Sequence, residues 1–165
     1  MNKGVEFWYA NVSKTAEQLG ESDVVACFHS LDQLKGNALE EAIELADAID
    51  AVDLLEVLDG AIDIKYVNSQ VLLALRNVGV DVDGAWNEVC ENNDVKFTLS
   101  YTEAEQWAFD RNLVSKEEDA VDVVGVTIDD KVWWSLRRLK DGKVVKSVNH
   151  PRVDLRKYIP KELLN

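Results

Sequence analysis

The chain has 165 residues, of which 47% are hydrophobic, and its 31 acidic and 18 basic residues give a formal net charge of −13. This length and apolar content are sufficient for one domain with a hydrophobic core. The negative charge disfavours direct binding to nucleic-acid phosphates, but not binding to a nucleotide that carries a divalent cation.

Cysteine usage and hydropathy exclude further classes. Cys27 and Cys90 stand alone beside only 2 histidines, so neither a disulfide framework nor a zinc site is indicated. Residues 1–6 contain no apolar stretch of signal-peptide length. No uncharged apolar run of about 18 residues occurs, so no membrane span is predicted. We therefore expect a cytoplasmic protein without membrane contact.

Helical spacing of apolar residues predicts a series of helices in the first 97 residues. The first spans residues 5–19 and ends at Gly20, and its apolar face carries Trp8, Val12, Ala16 and Leu19. Ser22 or Asp23 caps a short helix that ends at Phe28. Asp32 is predicted to start a helix over residues 32–50 and Asp53 to cap a helix over residues 54–77, and a further helix is predicted over residues 84–95. Because their links are short, neighbouring helices should run antiparallel and form a bundle of four to five helices.

The pattern changes after Phe97. Thr102 and Glu105 have the spacing of a capping box, which predicts a short helix at residues 106–109. Alternation of β-branched or aromatic residues with polar ones then predicts strands at residues 123–128, 132–139 and 144–146, with turns at Asp129-Asp130 and Asp141-Gly142. The expected fold is mainly α: an antiparallel bundle with a small antiparallel β-meander inserted near the C-terminus. One domain then comprises the bundle at residues 1–97, an insertion at 98–147 and a tail at 148–165 that packs on the bundle.

Two groups of carboxylates lie in the predicted helices. The first consists of Glu40, Glu41 and Glu44, and the second of Glu56, Asp59 and Asp63. Residues three and four apart share a helix face, so each group forms a polar stripe, and the second stripe follows an otherwise apolar helix. If the two stripes face each other, their oxygens suit Mg²⁺. The alternative is a solvated acidic face. The absence of His from these helices disfavours iron or manganese oxidation chemistry.

Several motifs occur in a characteristic order. Glu40-Glu41-Ala42-Ile43-Glu44 is a Glu-Glu-x-x-Glu motif, and an acidic helix then reaches Asp63 just before Tyr66. Further matches fall in residues 79–89, 92–97 and 142–155. Together they resemble the all-α nucleoside triphosphate pyrophosphohydrolases, the MazG-like and phosphoribosyl-ATP pyrophosphohydrolase group, especially small phage members. The family's Glu-x-x-Asp motif is altered, because Gly60 stands where a Glu is usual, so either Glu56 or Asp59 partners Asp63.

The resemblance implies Mg²⁺-dependent cleavage of the α–β phosphoanhydride of a nucleoside triphosphate, with Mn²⁺ as a substitute ion. It implies that either a second ion or a free carboxylate of Glu40 or Glu41 activates the attacking water. The metal is then held by Glu41, Glu44, Asp63 and either Asp59 or Glu56. Substrate contacts are then expected from Asn93, Lys96, Tyr66, Lys143 and Lys146. Members of this group assemble as homodimers or homotetramers. A phage-encoded member acts in the host cytoplasm.

Two other functions remain open. A small acidic protein can act as a nucleic-acid mimic or inhibitor that binds a basic host partner, and this reading predicts carboxylates dispersed over exposed faces. Alternatively, the change at Gly60 is typical of a degenerate family member that binds nucleotides without cleaving them. The arrangement of the acidic stripes distinguishes the first of these readings from an enzyme.

Overall fold

The computed structural model describes residues 3–7, 10, 14, 22–150 and 152–164. It is mainly helical, with a three-stranded antiparallel sheet near the C-terminus, which confirms the expected fold at this level. The helices are α1 (Asp23–Asp50), α2 (Leu54–Asn77), α3 (Val82–Asp94) and α4 (Tyr101–Val114), and the strands are β1 (Val121–Ile128), β2 (Lys131–Arg138) and β3 (Val144–Val145). In the described part of the chain, no helix has the length and apolarity needed to cross a bilayer.

The chain divides into two compact units. One contains the described residues up to Val82 together with residues 156–164, and the other contains residues 83–155. The division into segments 1–97, 98–147 and 148–165 remains a prediction. Residues 3–7, 10 and 14 are helical, whereas the predicted apolar face at Trp8, Val12, Ala16 and Leu19, and the stop at Gly20, lie outside the described residues.

Helix α1 is a single helix of 28 residues, so the predicted interruption between Phe28 and Asp32 is wrong. Ser22 is its N-cap and accepts a hydrogen bond from the backbone N of Val25 at 3.4 Å. Cys27, Ser30 and Leu34 are buried at helical spacing across the expected break. Asp32 forms an exposed ion pair with Lys35 instead of capping a new helix. A continuous buried stripe therefore outweighs the local capping signal.

Helices α1 and α2 form an antiparallel hairpin. Asp53 caps α2 as predicted, and its side chain accepts hydrogen bonds from the backbone N of Leu55 at 3.1 Å and of Glu56 at 3.2 Å. Near the ends of the hairpin, Cys27 Sγ donates to the carbonyl of Ala74 at 3.4 Å. Nearer the link, a Cβ added at Gly60 would lie 3.2 Å from the Cα of Leu45. The helices therefore approach closely at Gly60, where a side chain would collide with backbone.

The C-terminal segment of this unit packs against the end of α2. The backbone N of Asp81 donates to the carbonyl of Tyr158 at 2.9 Å. Gly79 has a φ of +85°, and a Cβ at this position would lie 3.2 Å from Cγ of Pro160. The left-handed backbone that ends α2 favours glycine, and the proline ring is close enough to restrict a larger residue there.

The unit of residues 83–155 is built on the predicted meander, with strand order β1-β2-β3. Asp129 and Asp130 have φ values of 48° and 59°, as the tight β1–β2 turn requires. Gly125 pairs with Trp134, and a Cβ at Gly125 would lie 2.6 Å from the Trp134 indole. The indole therefore covers the glycine, and the ring of Tyr101 meets it edge-on at a centroid distance of 4.7 Å.

The cap of α4 lies two residues before the predicted one. Ser100 is the N-cap and accepts from the backbone N of Glu103 at 3.2 Å, and the helix continues for 14 residues. The predicted capping box at Thr102 and Glu105 is therefore wrong, whereas the helix predicted at residues 106–109 is confirmed but is longer, spanning Tyr101–Val114. Thr98 exchanges backbone hydrogen bonds with Trp134, at 2.9 and 2.7 Å, which holds the chain against β2 and sets where α4 begins.

We predict opposite effects of enlarging two helical glycines. Gly60→Val should lower the free energy of unfolding by about 1–3 kcal/mol, because the new side chain collides with the backbone of Leu45. Gly36→Ala should raise it by about 0.5–1 kcal/mol, because no atom lies within 4 Å of the added Cβ and alanine favours the helix. Urea denaturation of both variants measures the difference, and equal effects would contradict the close approach at Gly60.

Candidate metal centre

The close approach of α1 and α2 brings Glu41 and Asp63 towards each other. Glu41 precedes Leu45 by one helical turn, and Asp63 follows Gly60 by about one turn on the antiparallel partner, so both fall on the same level of the hairpin. Both side chains are half-buried. The other four acidic residues of the two predicted stripes are exposed, namely Glu40, Glu44, Glu56 and Asp59.

Electrostatics show that carboxylates from both helices act on Glu41. Burial is the largest cause of a raised pKa at this carboxyl, followed by the negative charge of Asp63 on α2. Glu44, Glu40 and Asp59 raise the pKa further. Like charges gathered around a half-buried carboxyl disfavour its ionised form. The hairpin therefore holds a concentration of negative charge that a bound cation would relieve.

The type of donor atom in the candidate set fits a metal ion, whereas the side-chain arrangement does not. Carboxylate oxygens are the ligands that Mg²⁺ prefers, and the candidate set consists of them alone. Among the residues that the structure describes, however, no three Asp, Glu, His or Cys side chains are grouped so as to hold a metal ion. Glu44 and Asp59 are exposed, so these two carboxylates are not drawn into the half-buried position of Glu41 and Asp63.

Either Asp59 or Glu56 was predicted to bind the metal together with Asp63. Asp59 lies one turn from Asp63 and is among the charges that raise the pKa of Glu41. Glu56 is in the first turn of α2, seven residues from Asp63, which corresponds to about 10 Å along the helix axis. Asp59 is therefore the better placed carboxylate. A Cβ at position 60 would lie 3.2 Å from the Cα of Leu45, so a side chain there would require the two helices to separate slightly.

The predicted substrate-binding residues are divided between the two units. Tyr66 lies on α2 with 38% of its surface exposed, about one turn beyond Asp63. Asn93, Lys96, Lys143 and Lys146 belong to the unit of residues 83–155. The amide of Asn93 donates to the carbonyl of Val89 within its own helix at 2.9 Å, whereas Lys143 is exposed and Lys96 is half-buried.

Sequence reasoning missed three residues that surround Lys146. The ammonium of Lys146 donates to the side-chain oxygen of Asn92. Arg111 Nη1 donates to the carbonyl of Lys146 at 3.2 Å, and the charge of Lys146 acts on His150. No local pattern signals this grouping, since Asn92, Arg111 and Lys146 lie far apart in the sequence and only the tertiary fold brings them together.

Comparison with known proteins gives no match to a family model, a curated protein or a solved structure. The likeness to pyrophosphohydrolases therefore rests on the sequence motifs alone.

We predict that Glu41→Gln stabilises the metal-free protein and removes its response to Mg²⁺. Because the folded-state pKa of Glu41 is raised, its ionised carboxylate destabilises the folded state at neutral pH. This loss of stability disappears as pH falls through the folded-state pKa. In EDTA at pH 7, Glu41→Gln should therefore have the higher melting temperature. Added Mg²⁺ should stabilise the wild type and not the variant.

Asp47→Asn is the matched control, because Asp47 is an exposed acid of α1 outside the candidate set. It should retain the wild-type response to Mg²⁺. Its stability should also depend on pH as that of the wild type does, over the range in which Glu41 titrates. Thermal unfolding at several Mg²⁺ concentrations tests all three proteins. An identical response of wild type and Glu41→Gln to Mg²⁺ would contradict a metal centre at Glu41.

Proposed function

We propose that this protein is a Mg²⁺-dependent nucleoside triphosphate pyrophosphohydrolase, which cleaves the α–β phosphoanhydride to release a nucleoside monophosphate and pyrophosphate. The observation that carries this proposal is the convergence of negative charge from α1 and α2 on Glu41. Support also comes from the Glu-Glu-x-x-Glu motif on α1 and from the carboxylate-only donor set. The proposed site of action is the cytoplasm.

In this proposal Glu41, Glu44, Asp59 and Asp63 hold the ion, with Mn²⁺ as a substitute, and Glu56 lies outside the ligand set. Bound Mg²⁺ supplies charge neutralisation for the triphosphate oxygens. Glu40 is exposed beside this set and accepts the proton of the attacking water, acting as general base. Tyr66 lies beyond Asp63 on α2 and contributes to nucleotide binding. Asn93, Lys96, Lys143 and Lys146 remain predicted substrate contacts.

We also propose that two or more copies of the chain associate through an apolar stripe on the hairpin. Leu55, Leu58 and Ile62 recur at helical spacing on α2 and are 72%, 60% and 54% exposed. On α1, Leu39 and Ile43 are 64% and 52% exposed. Extended exposed apolar surface of this kind marks interaction sites. Two hairpins joined along this apolar stripe would form an antiparallel four-helix bundle, as a homodimer or within a homotetramer.

A second reading has one observation in its favour. Glu40, Glu44, Glu56 and Asp59 are all exposed, as expected for an acidic mimic that binds a basic partner through its surface charge. The half-burial of Glu41 and Asp63 opposes this reading, because a mimic gains nothing from carboxylates held between two helices. A degenerate, nucleotide-binding relative is favoured by Gly60, which stands where the family that the motifs resemble usually has a Glu.

Purified protein should release pyrophosphate from at least one nucleotide in a panel of NTPs and dNTPs with Mg²⁺, and EDTA should abolish the release. Glu44→Gln and Asp63→Asn should each lower kcat by at least about 100-fold, since loss of a carboxylate weakens the binding and orientation of the ion. Glu56→Gln should change the rate less than about threefold, because Glu56 lies roughly 10 Å from Asp63 along the helix axis.

Asp47→Asn controls for the loss of one negative charge on the hairpin, and circular dichroism controls for folding. Equal rates in wild type, Glu44→Gln and Asp63→Asn would contradict the proposed catalytic centre. Nucleotide binding without pyrophosphate release would support the degenerate relative instead. Binding of a basic protein that is insensitive to Mg²⁺ and to both variants would support the mimic.

Leu58→Glu should dissociate the oligomer, because it places a charge in the centre of the apolar stripe on α2. Light scattering coupled to gel filtration measures the mass of the particle. Leu113→Glu on α4 is the matched control, since Leu113 is 69% exposed and lies outside the apolar stripe. A wild-type protein that is monomeric at micromolar concentration would contradict the proposed association.

A further inference from the structure

Strand β1 lies at the edge of the three-stranded sheet, with β2 on one side only. Both residues of the Asp129-Asp130 turn have positive φ, 48° and 59°, so the turn closes on a hydrogen-bonded pair, Ile128 and Lys131. In an antiparallel pair, alternate residues bond to the neighbouring strand and the residues between them point away from it. The backbone groups that point away from β2 are therefore those of Val121, Val123, Gly125 and Thr127.

Side chains of the same unit satisfy the first part of this edge. The N–H of Val121 donates to the side-chain oxygen of Asn112 at 2.9 Å, and the C=O of Val121 accepts from the side-chain nitrogen of Asn112 at 3.0 Å. The N–H of Val123 donates to the carboxylate of Asp122 at 2.8 Å. These donors are therefore already used, and another strand cannot accept from them.

The second part of the edge is open. In the part of the chain that the structure describes, the outward N–H and C=O groups of Gly125 and Thr127 have no hydrogen-bond partner, and both residues are exposed. Natural edge strands are usually protected by a proline, a charged residue or a bulge. Residues 123–128 contain neither a proline nor a charge, and their pairing with β2 has no bulge. An edge without this protection favours the addition of another strand.

We propose that two copies of the protein pair through β1, antiparallel to each other and about a two-fold axis at Val126. Gly125 of each copy then lies opposite Thr127 of the other, and each such pair exchanges two hydrogen bonds. This register satisfies all the open groups of Gly125 and Thr127. An axis at Gly125 would set Thr127 opposite Val123, whose N–H is already bonded, and an axis at Thr127 would set Gly125 opposite Asp129 in the turn. The edge is therefore complementary to itself in one register.

The same register matches the side chains on one face of the sheet. Val126 meets Val126 of the second copy at the axis, and Val124 lies opposite Ile128 on either side of it. Cross-strand pairs of β-branched residues stabilise antiparallel strands. Val126 and Ile128 are 56% and 53% exposed, so pairing removes apolar surface from water. The two sheets would join into one antiparallel sheet of six strands.

The association is expected to be weak. Residues 124–128 of two copies bury less than the roughly 1,200 Å² of a stable interface, and each copy carries a net charge of −13. We expect a dissociation constant of about 10⁻⁴ M, which salt should lower by screening the repulsion. This surface belongs to a different unit from the apolar stripe on α2, and a chain with both surfaces forms particles larger than a dimer.

The test uses Leu58→Glu protein, because this variant disrupts the apolar stripe on α2 and leaves the β1 edge intact. Sedimentation equilibrium from about 10 μM to about 1 mM, a range that spans the expected dissociation constant, should show the mass rising from one chain towards two. Hydrogen exchange followed by NMR should slow at the amides of Gly125 and Thr127 as the concentration rises. The amide of Val123 is already bonded and is the internal control. A mass of one chain at every concentration would overturn the proposal.

Thr127→Pro in the same background should abolish the association. The N–H of Thr127 points away from β2, so proline removes only the donor to the second copy, and edge strands tolerate proline at such positions. Thr127→Val retains the N–H and should associate as its parent does. Circular dichroism shows whether each variant is folded. Equal association of both variants would contradict pairing through Thr127.

Two charged variants test the position of the axis, and they replace Thr127→Pro if that variant does not fold. Val126→Lys and Val126→Glu should each associate at least about tenfold more weakly, because like charges meet at the axis. An equal mixture of the two should regain this loss, because opposite charges then meet. The matched controls are Leu139→Lys and Leu139→Glu, alone and mixed, since Leu139 is 62% exposed and lies outside the paired residues. These controls should associate as their parent does.

Two further outcomes would overturn the proposal. A mixture of the Val126 variants that associates no better than either alone would exclude this register. Protection of the Gly125 and Thr127 amides that does not depend on protein concentration would indicate that a strand other than β1 of a second copy covers the edge. Because Leu58→Glu and Thr127→Pro each remove one surface, failure at the β1 edge and failure at the apolar stripe give different results.

Discussion

The close approach of two antiparallel helices at Gly60 is the constraint on which the candidate metal centre depends. With no side chain at this position, α2 lies directly against the backbone of Leu45. Side chains one turn away on either helix must then share a narrow space, and two of them, Glu41 and Asp63, are acids. Burial, followed by the negative charge of Asp63, raises the pKa of Glu41. An arrangement that is unfavourable for the folded chain alone becomes favourable when a cation is bound.

The hairpin of α1 and α2 presents two different kinds of surface. Its acidic edge carries charge that is incompletely compensated, and the apolar stripe containing Leu55, Leu58 and Ile62 is exposed. Neither surface stabilises the isolated hairpin. The exposed leucines remain in contact with water, and the clustered carboxylates repel one another. In our proposal a cation satisfies the first surface and a second copy of the chain satisfies the second. In the proposed site, Asp59 is the partner of Asp63.

In the unit of residues 83–155, the fold fixes Lys146 through contacts that are distant in sequence. Lys146 is held at both ends, by Asn92 at its ammonium and by Arg111 at its carbonyl, so its position is set by the fold rather than by solvent. Nε of Arg111 and Nε2 of His150 are buried without a hydrogen-bond partner.

The sequence by itself determined the elements whose signals are local. Asp53 as the cap of α2, the Asp129-Asp130 turn and the order of the meander were all predictable, because caps, tight turns and strand alternation depend on neighbouring residues. Local signals misled where tertiary contacts competed with them. Asp32 resembled a helix start, but the buried stripe through Cys27, Ser30 and Leu34 continued across it.

Only the tertiary structure decided which side chains meet. Helical spacing identified two acidic stripes but could not show that Glu41 and Asp63 face each other while Glu56 lies two turns away. The grouping of Arg111, Lys146 and His150 left no trace in the sequence at all. The physical reason is the same in both cases: a spacing of three or four residues defines one face of one helix, whereas the distance between two elements depends on how their surfaces pack, and here on a single glycine.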